Sequence, residues 1–146
     1  MMNSDSGTAP ETRIKVQKRF ADIDIFHHVN NVAQQSYFDV GKSDYFSRMF
    51  ECDLMAVQPM IVTVSTSTSY LGQIRREDEI EVVTRTEKIG DKSITLRQQI
   101  LCRGDVRSES VSVLVAFDFG RQQSVRVPDA WRRRLLGEVE EVTGAL

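Results

Sequence analysis

Hydrophobic and polar positions alternate along most of this chain, which is the pattern of half-buried β-strands. The first alternating segment spans residues 13–20, with Ile14, Val16 and Phe20 as its apolar positions. Further alternating segments span residues 60–71, 79–89, 93–103 and 108–119. Short connections rich in glycine and charged residues separate these later segments, so we expect antiparallel hairpins rather than crossover connections.

One segment has a helical period instead. Residues 32–50 contain no proline, and their apolar side chains fall on two stripes at helical spacing, Ala33, Tyr37 and Val40 on one and Phe38, Tyr45 and Met49 on the other. Two stripes predict a long helix that is buried over much of its circumference. Gly41 inside it costs roughly 1 kcal/mol relative to Ala, which indicates a close approach by another backbone or a ligand.

This order of elements predicts an α+β fold, in which an antiparallel sheet wraps around one long central helix. A short helix is expected after Pro128, with Trp131, Leu135 and Val139 on one stripe. We expect residues 1–12 to form a flexible tail and residues 13–146 to form a single domain. One sheet covers only part of such a helix, so we expect a homodimer or a dimer of dimers.

Composition argues against several classes of function. The 146 residues include 19 Lys+Arg and 21 Asp+Glu, and a net charge of −2 argues against a nucleic-acid partner. The apolar runs are far shorter than the ~20 residues that cross a bilayer, so no membrane partner is expected. Cys52 and Cys102 have no metal-ligand spacing and are expected to be reduced thiols in a cytoplasmic protein.

Candidate chemistry is concentrated between the first strand and the long helix. His27 and His28 lie within a few residues of Asp22, Asp24 and the pair Asn30-Asn31. A helix N-terminus offers unpaired N–H groups and a positive dipole end, which stabilise a developing negative charge. From composition alone, these residues are equally well interpreted as a catalytic site or as turn and capping residues.

The segment RFADIDIFHHVNNVAQQSYFDVGKSDYF, residues 19–46, resembles a known motif. It is similar to the motif of hotdog-fold acyl-CoA thioesterases of the 4-hydroxybenzoyl-CoA thioesterase-like family. That motif has Asp-x-Asp, then Gly-His-Val-Asn-Asn, then a helix with Tyr-Phe-Glu. The resemblance extends over about residues 16–128 and implies the hotdog fold; His27 stands where the family usually has Gly.

The resemblance implies a catalytic site that needs no metal and no cofactor, because the CoA thioester is the substrate. Asp24 matches the catalytic carboxylate, which attacks the thioester carbonyl or activates a water. The backbone N–H of Asn31 would bind the thioester oxygen, and His28 would contact the substrate or Asp24. Asp39, where the family often has Glu, is a second carboxylate, a buried structural acid or a salt-bridge partner.

The resemblance also implies residues that bind the substrate. Asn30 would shape the loop, and Lys92 and Ser93 would lie near the phosphates or pantetheine of CoA. Phe38 is a candidate for lining the acyl site and equally a candidate for the core.

The function implied by the resemblance is hydrolysis of an acyl-CoA to a free acid and CoA. An acyl-carrier-protein thioesterase and a non-catalytic module that binds acyl thioesters are the alternatives. The bulk of His27 is the feature that favours the binding module. The identity of the acyl group stays open.

Overall fold

The computed structural model describes residues 10–50 and 59–137. Its strands are β1 (Glu11–Val16), β2 (Met60–Tyr70), β3 (Ile80–Ile89), β4 (Ser93–Cys102), β5 (Asp105–Asp118) and β6 (Gln123–Val125). Its helices are α1 (Asn31–Phe50), α2 (Asp129–Leu135) and a single 3-10 turn at Phe20–Asp22. Cys52, Val139 and residues 1–9 of the predicted tail lie outside the described residues.

The strands form one antiparallel sheet in the order β1-β3-β4-β5-β2, with β6 paired to β5. The hairpins expected between β3 and β4 and between β4 and β5 are confirmed. The hairpin expected between β2 and β3 is wrong, because β2 pairs with β5 while β3 pairs with β1 and β4. Two strands separate β2 from β3, so the connecting residues 71–79 must cross the sheet.

This crossing connection passes the beginning of α1. The N–H of Val29 donates to the carbonyl oxygen of Ile74 at 2.8 Å. An isolated antiparallel bridge also joins His28 to Arg75. The connection therefore forms one wall of the loop that carries the candidate catalytic residues.

Helix α1 packs one side against β1, β3 and β4. Its buried residues are Ala33, Gln34, Tyr37, Phe38, Gly41, Tyr45 and Phe46. The expected burial around much of the helix is not found within one chain, since Val32 is 81% exposed and Val40 is 49% exposed. The helix therefore presents a side that this chain does not cover, on which Val32 and Val40 lie among polar residues.

Gly41 marks the closest approach of α1 to the sheet. A Cβ atom at this position would lie 2.5 Å from Cγ1 of Val82 and 3.2 Å from Thr84 Oγ1. The expected close approach is confirmed, but the neighbours are side chains of β3 and β4 rather than a backbone or a ligand.

Two apolar clusters form the core. One surrounds Tyr37, Phe38 and Ile80 near the beginning of α1, and the other surrounds Tyr45 and Trp131 near its end. The ring of Trp131 stacks on Phe50 with centroids 4.9 Å apart, so α2 closes that end of the core.

The structure shifts several predicted boundaries. Strand β1 already begins at Glu11, which pairs with Arg85, so the predicted tail through residue 12 is two residues too long. Strand β6 was not anticipated from the sequence pattern. No helix within residues 10–50 and 59–137 is long and apolar enough to cross a membrane.

Candidate active site

Asn30 caps the N-terminus of α1. Its Oδ1 accepts a hydrogen bond from the N–H of Ala33 at 2.8 Å, and its own N–H donates to the carbonyl oxygen of Asp22 at 3.0 Å. The cap leaves the earlier N–H groups of the helix unpaired, and the amide of Asn31 enters no hydrogen bond with any described residue. Asn31 therefore offers a free donor at the positive end of the helix dipole.

Asp24 is held by the backbone of its own loop. Its Oδ1 accepts hydrogen bonds from the N–H of Phe26 at 2.9 Å and the N–H of His28 at 3.2 Å. Its main-chain N–H donates to the carbonyl oxygen of His28 at 2.9 Å. The Oδ2 atom has no hydrogen-bond partner among the described residues, so the loop holds one carboxylate oxygen and not the other.

Asp24 and the beginning of α1 share a cavity of about 560 Å³. The residues lining it include Asp24, His28, Asn30, Asn31, Gln34 and Tyr70. The structure thus brings together four of the residues that the sequence singled out. The crossing connection supplies the opposite wall through Leu71, Gly72 and Gln73.

Asp24 also borders a second cavity of about 360 Å³, which carries positive charge. Lys18, Arg19 and Arg76 line it together with His27. From the sequence, the pair Arg75-Arg76 is a candidate for CoA phosphates as well as a solvated turn, whereas Lys18 and Arg19 carry no site assignment. The adjacent basic pair before the Asp-x-Asp motif was the available signal, but charge pairs of this kind are common on solvated turns.

His27 has a left-handed backbone, with φ of 67°. This conformation suits glycine, which carries no Cβ, and His adopts it more readily than most other residues. The need for a left-handed backbone at this position explains why the family whose motif this loop resembles usually has Gly here. The His27 side chain is exposed and lines the cation-rich cavity.

Asp22, the first carboxylate of the Asp-x-Asp motif, ties the loop to α1. It is 2% exposed, and Tyr37 donates its hydroxyl to Oδ2 at 2.6 Å. The backbone N–H and the guanidinium of Arg19 donate to the same carboxylate, each at 2.9 Å. Sequence analysis did not assign a role to Asp22, because aspartate in a loop is usually a turn residue.

The Asp22 network shifts two pKa values. Burial alone would raise the pKa of Asp22, but the hydrogen bonds from Tyr37 and Arg19 together lower it below its ordinary value. Burial and the adjacent Asp22 carboxylate raise the pKa of Tyr37. Asp22 is therefore an anion held by donors, and Tyr37 is a neutral donor to it.

Asp78 holds the crossing connection in place. It is 4% exposed, and its Oδ2 accepts hydrogen bonds from the N–H of Arg75 at 2.8 Å and from Arg107 at 3.2 Å. Burial would raise the pKa of Asp78, but these donors and nearby arginines lower it. Since Arg75 bridges His28, Asp78 supports the loop that orients Asp24.

Other candidates from the sequence lie elsewhere in the chain. Phe38 is 2% exposed in the core and lines neither cavity, so its position in one chain is that of a packing residue. Asp39 has an exposed side chain and pairs with Lys42 at 3.5 Å, which makes it a salt-bridge partner. Lys92 and Ser93 lie at the β3–β4 turn, at the beginning of β4. The opposite end of β4, at Cys102, is the one near the Asp24 cavity, so within one chain Lys92 and Ser93 are not part of it.

No group of three or more His, Cys, Asp or Glu side chains in residues 10–50 and 59–137 is arranged to hold a metal ion.

The fold and the site together define a hotdog-type thioesterase architecture, and comparison with known proteins identifies the family. The family model of the thioesterase-like superfamily matches residues 18–135, and the chain belongs to that superfamily. The chain is 33% identical over 84 residues to protein YsmA of Bacillus subtilis, a match over 56% of this chain and 55% of that protein. The chain thus spans about half the length of the curated relative that it matches.

Solved structures share the fold. A thioesterase from Thermus thermophilus complexed with coenzyme A and Zn superimposes with a TM-score of 0.77 at 28% identity, covering 88% of this chain and 95% of that one. A 4-hydroxybenzoyl CoA thioesterase variant complexed with 4-hydroxybenzoyl CoA has a TM-score of 0.77 at 14% identity, covering 86% and 98%. The second similarity is one of fold alone.

Proposed function

We propose that this protein is an acyl-CoA thioesterase, which hydrolyses the thioester of an acyl-CoA to a free acid and CoA. One observation carries the proposal: a carboxylate oxygen of Asp24 without a partner and the unpaired N–H of Asn31 belong to one cavity. Membership of the thioesterase-like superfamily supports it, as does the coenzyme A held by the Thermus thermophilus thioesterase.

In the proposed reaction, Oδ2 of Asp24 acts on the thioester carbonyl carbon. Either it takes a proton from a water that attacks the carbon, or it attacks the carbon itself and water later releases the acid. The carbonyl oxygen gains negative charge and is held by the N–H of Asn31. Collapse of the tetrahedral species breaks the carbon–sulfur bond and releases the CoA thiolate. In the first route the thiolate takes the proton that Asp24 accepted from water. In the second route it leaves an acyl–Asp24 anhydride, and the water that cleaves the anhydride supplies the proton. No cofactor enters this scheme.

The two stabilising groups have ordinary catalytic magnitudes. A positioned general base contributes roughly 10²- to 10⁴-fold in rate, and removal of an oxyanion donor typically costs roughly 10²- to 10³-fold. His28 contributes through its backbone N–H, which orients Asp24 at 3.2 Å. Its side chain lines the same cavity and is proposed to contact the substrate.

The cation-rich cavity is the proposed site for the phosphates of CoA. Lys18, Arg19 and Arg76 supply positive charge to this cavity, which borders Asp24 as the larger cavity does. Guanidinium groups match phosphate oxygens in geometry and charge. Lys92 and Ser93 stay a prediction, and within this scheme they would act from a second copy of the chain.

A homodimer would complete the site. Strand β2 has 11 residues and pairs with β5 on one side, while its other edge pairs with no described strand. Hydrogen bonds from Gln35 to Thr68 at 2.8 Å and from Lys42 to Thr63 at 3.2 Å place the uncovered side of α1 beside this edge. Long exposed strand edges readily pair with another chain, so we propose that a second copy covers both. A dimer of dimers and a cytoplasmic location stay predictions.

Release of free thiol from a panel of esters tests the proposal. Acetyl-CoA, octanoyl-CoA and benzoyl-CoA represent short, long and aromatic acyl groups, and octanoyl acyl-carrier protein represents the alternative carrier. Turnover of at least one CoA ester is the expected result. Turnover of the carrier-protein ester alone would favour the acyl-carrier-protein alternative, and binding of esters without turnover of any would favour the binding module.

A further inference from the structure

The sheet surface that faces α1 changes character beside the Asp24 cavity. Along β5, three successive inward positions are Ser108, Ser110 and Ser112, which are 0%, 1% and 2% exposed. Farther along the same strand the inward positions are Leu114 and Ala116, which belong to the apolar core. Buried hydroxyls are unfavourable unless they are hydrogen-bonded, so this polar segment needs partners.

Two of these hydroxyls find partners on the neighbouring strand. Ser110 pairs with Thr68 at 3.2 Å, and Ser112 pairs with Thr66 at 3.1 Å. The hydroxyls of β2 and β5 thus satisfy one another. We call these hydroxyls, together with Ser108 and Gln34, the polar layer; at Ser110 and Ser112 it is stable without a ligand.

Gln34 is the member of the polar layer whose amide nitrogen donates no hydrogen bond to a described residue. It is 3% exposed, and its Oε1 accepts a hydrogen bond from the hydroxyl of Ser108. Its Nε2 enters no hydrogen bond with any described residue, although Gln34 lines the cavity of Asp24 and Asn31. Gln34 follows Asn31 by three residues, so the two lie on neighbouring positions of one helix face.

A buried carboxamide with unused donors in the reaction cavity points to a polar group of the substrate. We propose that Gln34 determines acyl specificity, so that the site prefers an acyl group with a hydroxyl or carbonyl oxygen close to the thioester over an unsubstituted alkyl group of equal length. This inference rests on the proposed function. An alkyl group would leave the amide nitrogen of Gln34 unpaired in the closed complex, and such losses discriminate strongly between substrates.

The preference is measured as binding, in a protein that does not turn the ester over. The Asp24→Asn variant is titrated calorimetrically with 3-hydroxybutyryl-CoA and with butyryl-CoA, which differ by one hydroxyl. We expect the hydroxylated ester to bind about tenfold or more tightly. A hydroxyl both donates and accepts, so it can pair with the nitrogen or the oxygen of a carboxamide.

Substitution of Gln34 tests whether the preference for the hydroxylated ester depends on this residue. Adding Gln34→Leu to the same protein should abolish the preference, and adding Gln99→Leu should leave it intact. Gln99 is the matched control because it lies on the other face of β4 and pairs with Glu109 at 3.1 Å. Gln34→Leu leaves the buried Ser108 hydroxyl without its acceptor, which could unfold the protein. In that case the double substitution Gln34→Leu/Ser108→Ala, which removes the hydroxyl as well, is used instead.

The outcomes separate this inference from the proposed function. Equal binding of the two esters, or a preference that survives Gln34→Leu, would overturn the role of Gln34. Thiol release by the unsubstituted protein is a separate measurement. Absence of release from these two esters and from every CoA ester of the panel would overturn the proposed hydrolysis, and with it the assignment of Gln34 to a reacting substrate.

Discussion

At the scale of single residues, the candidate site depends on which polar atoms are already paired. Oδ1 of Asp24 is used by two backbone N–H groups, and Oδ1 of Asn30 is used by the helix cap. The unpaired atoms are therefore the Oδ2 of Asp24 and the amide of Asn31. Turn and capping interactions do not compete with catalysis here, because they position the groups that would react.

His27→Gly is predicted to stabilise the protein. A non-glycine residue in the left-handed region costs roughly 1–2 kcal/mol, and the φ of 67° at His27 falls in that region. We expect the free energy of unfolding to rise by up to about 1 kcal/mol, since glycine also loses more entropy on folding. Chemical denaturation of both proteins measures the change.

His28→Gly is the matched control for that substitution. His28 pairs with Arg75 in an extended bridge and has no positive φ, so glycine should destabilise the protein there. Equal effects of the two substitutions would contradict the explanation by backbone conformation.

The sequence indicates which residues lie together at the cavity better than it indicates their supporting partners. Asp24, His28, Asn30 and Asn31 are close in the chain, so a local motif was enough to group them. Lys18 and Arg19 of the second cavity lie in the same segment as Asp24, whereas Arg76 and the supporting carboxylate Asp78 come from a separate segment. Their proximity depends on how β2 connects to β3, which no local pattern encodes.

At the scale of elements, the loop that carries Asp24 is fastened to α1 by a buried carboxylate. Asp22 has a pKa below its ordinary value of 3.8, because Tyr37 and Arg19 donate to it. A carboxylate with a lowered pKa contributes stability above its unfolded pKa and loses that contribution as pH falls through the folded value. Acid should therefore release this loop.

Asp22→Asn is predicted to lower stability near neutral pH and to flatten its pH dependence. Hydrogen bonds to a charged group contribute about 1.5–3 kcal/mol, and the substitution removes the charge. Thermal unfolding between about pH 5 and about pH 2 measures the slope. Asp39→Asn is the control, because the Asp39 side chain is 74% exposed and forms only a surface ion pair. Parallel curves for all three proteins would contradict this function of Asp22.

Element types were predictable because alternation and helical spacing are local properties. The strand partners were only partly predictable. The β3–β4 and β4–β5 hairpins follow from short turns, whereas the pairing of β2 with β5 joins residues such as Met60 and Phe117 that are distant in sequence. The pattern overestimates the burial of α1 within one chain, since Val40 belongs to a predicted buried stripe and is 49% exposed.

At the scale of the whole molecule, one chain leaves apolar groups uncovered around the site. Phe20 is 97% exposed, Phe26 is 70% exposed and Val32 is 81% exposed. Together with the free edge of β2, these side chains mark a surface that a second copy would cover. The site would then lie close to the interface between two chains.

Val64→Arg is predicted to weaken the dimer. Val64 lies on β2 and is 57% exposed, so a charge there should not disturb one chain but should be unfavourable in an interface. Light scattering after size-exclusion chromatography, over a range of protein concentrations, should show a shift toward monomer. Phe119→Arg serves as the control, because Phe119 is 50% exposed and lies beyond the end of β5. Identical mass distributions for all three proteins would contradict an interface at β2.

We propose that the carboxylate of Asp24 performs thioester hydrolysis, and a single-turnover comparison of the unsubstituted protein with Asp24→Asn is the sharpest test. Asparagine keeps an oxygen that can accept from the N–H groups of Phe26 and His28, so the loop should stay folded. We predict that the hydrolysis rate of a bound acyl-CoA falls by roughly 10²- to 10⁴-fold while the ester still binds. Equal rates for the two folded proteins would contradict the claim.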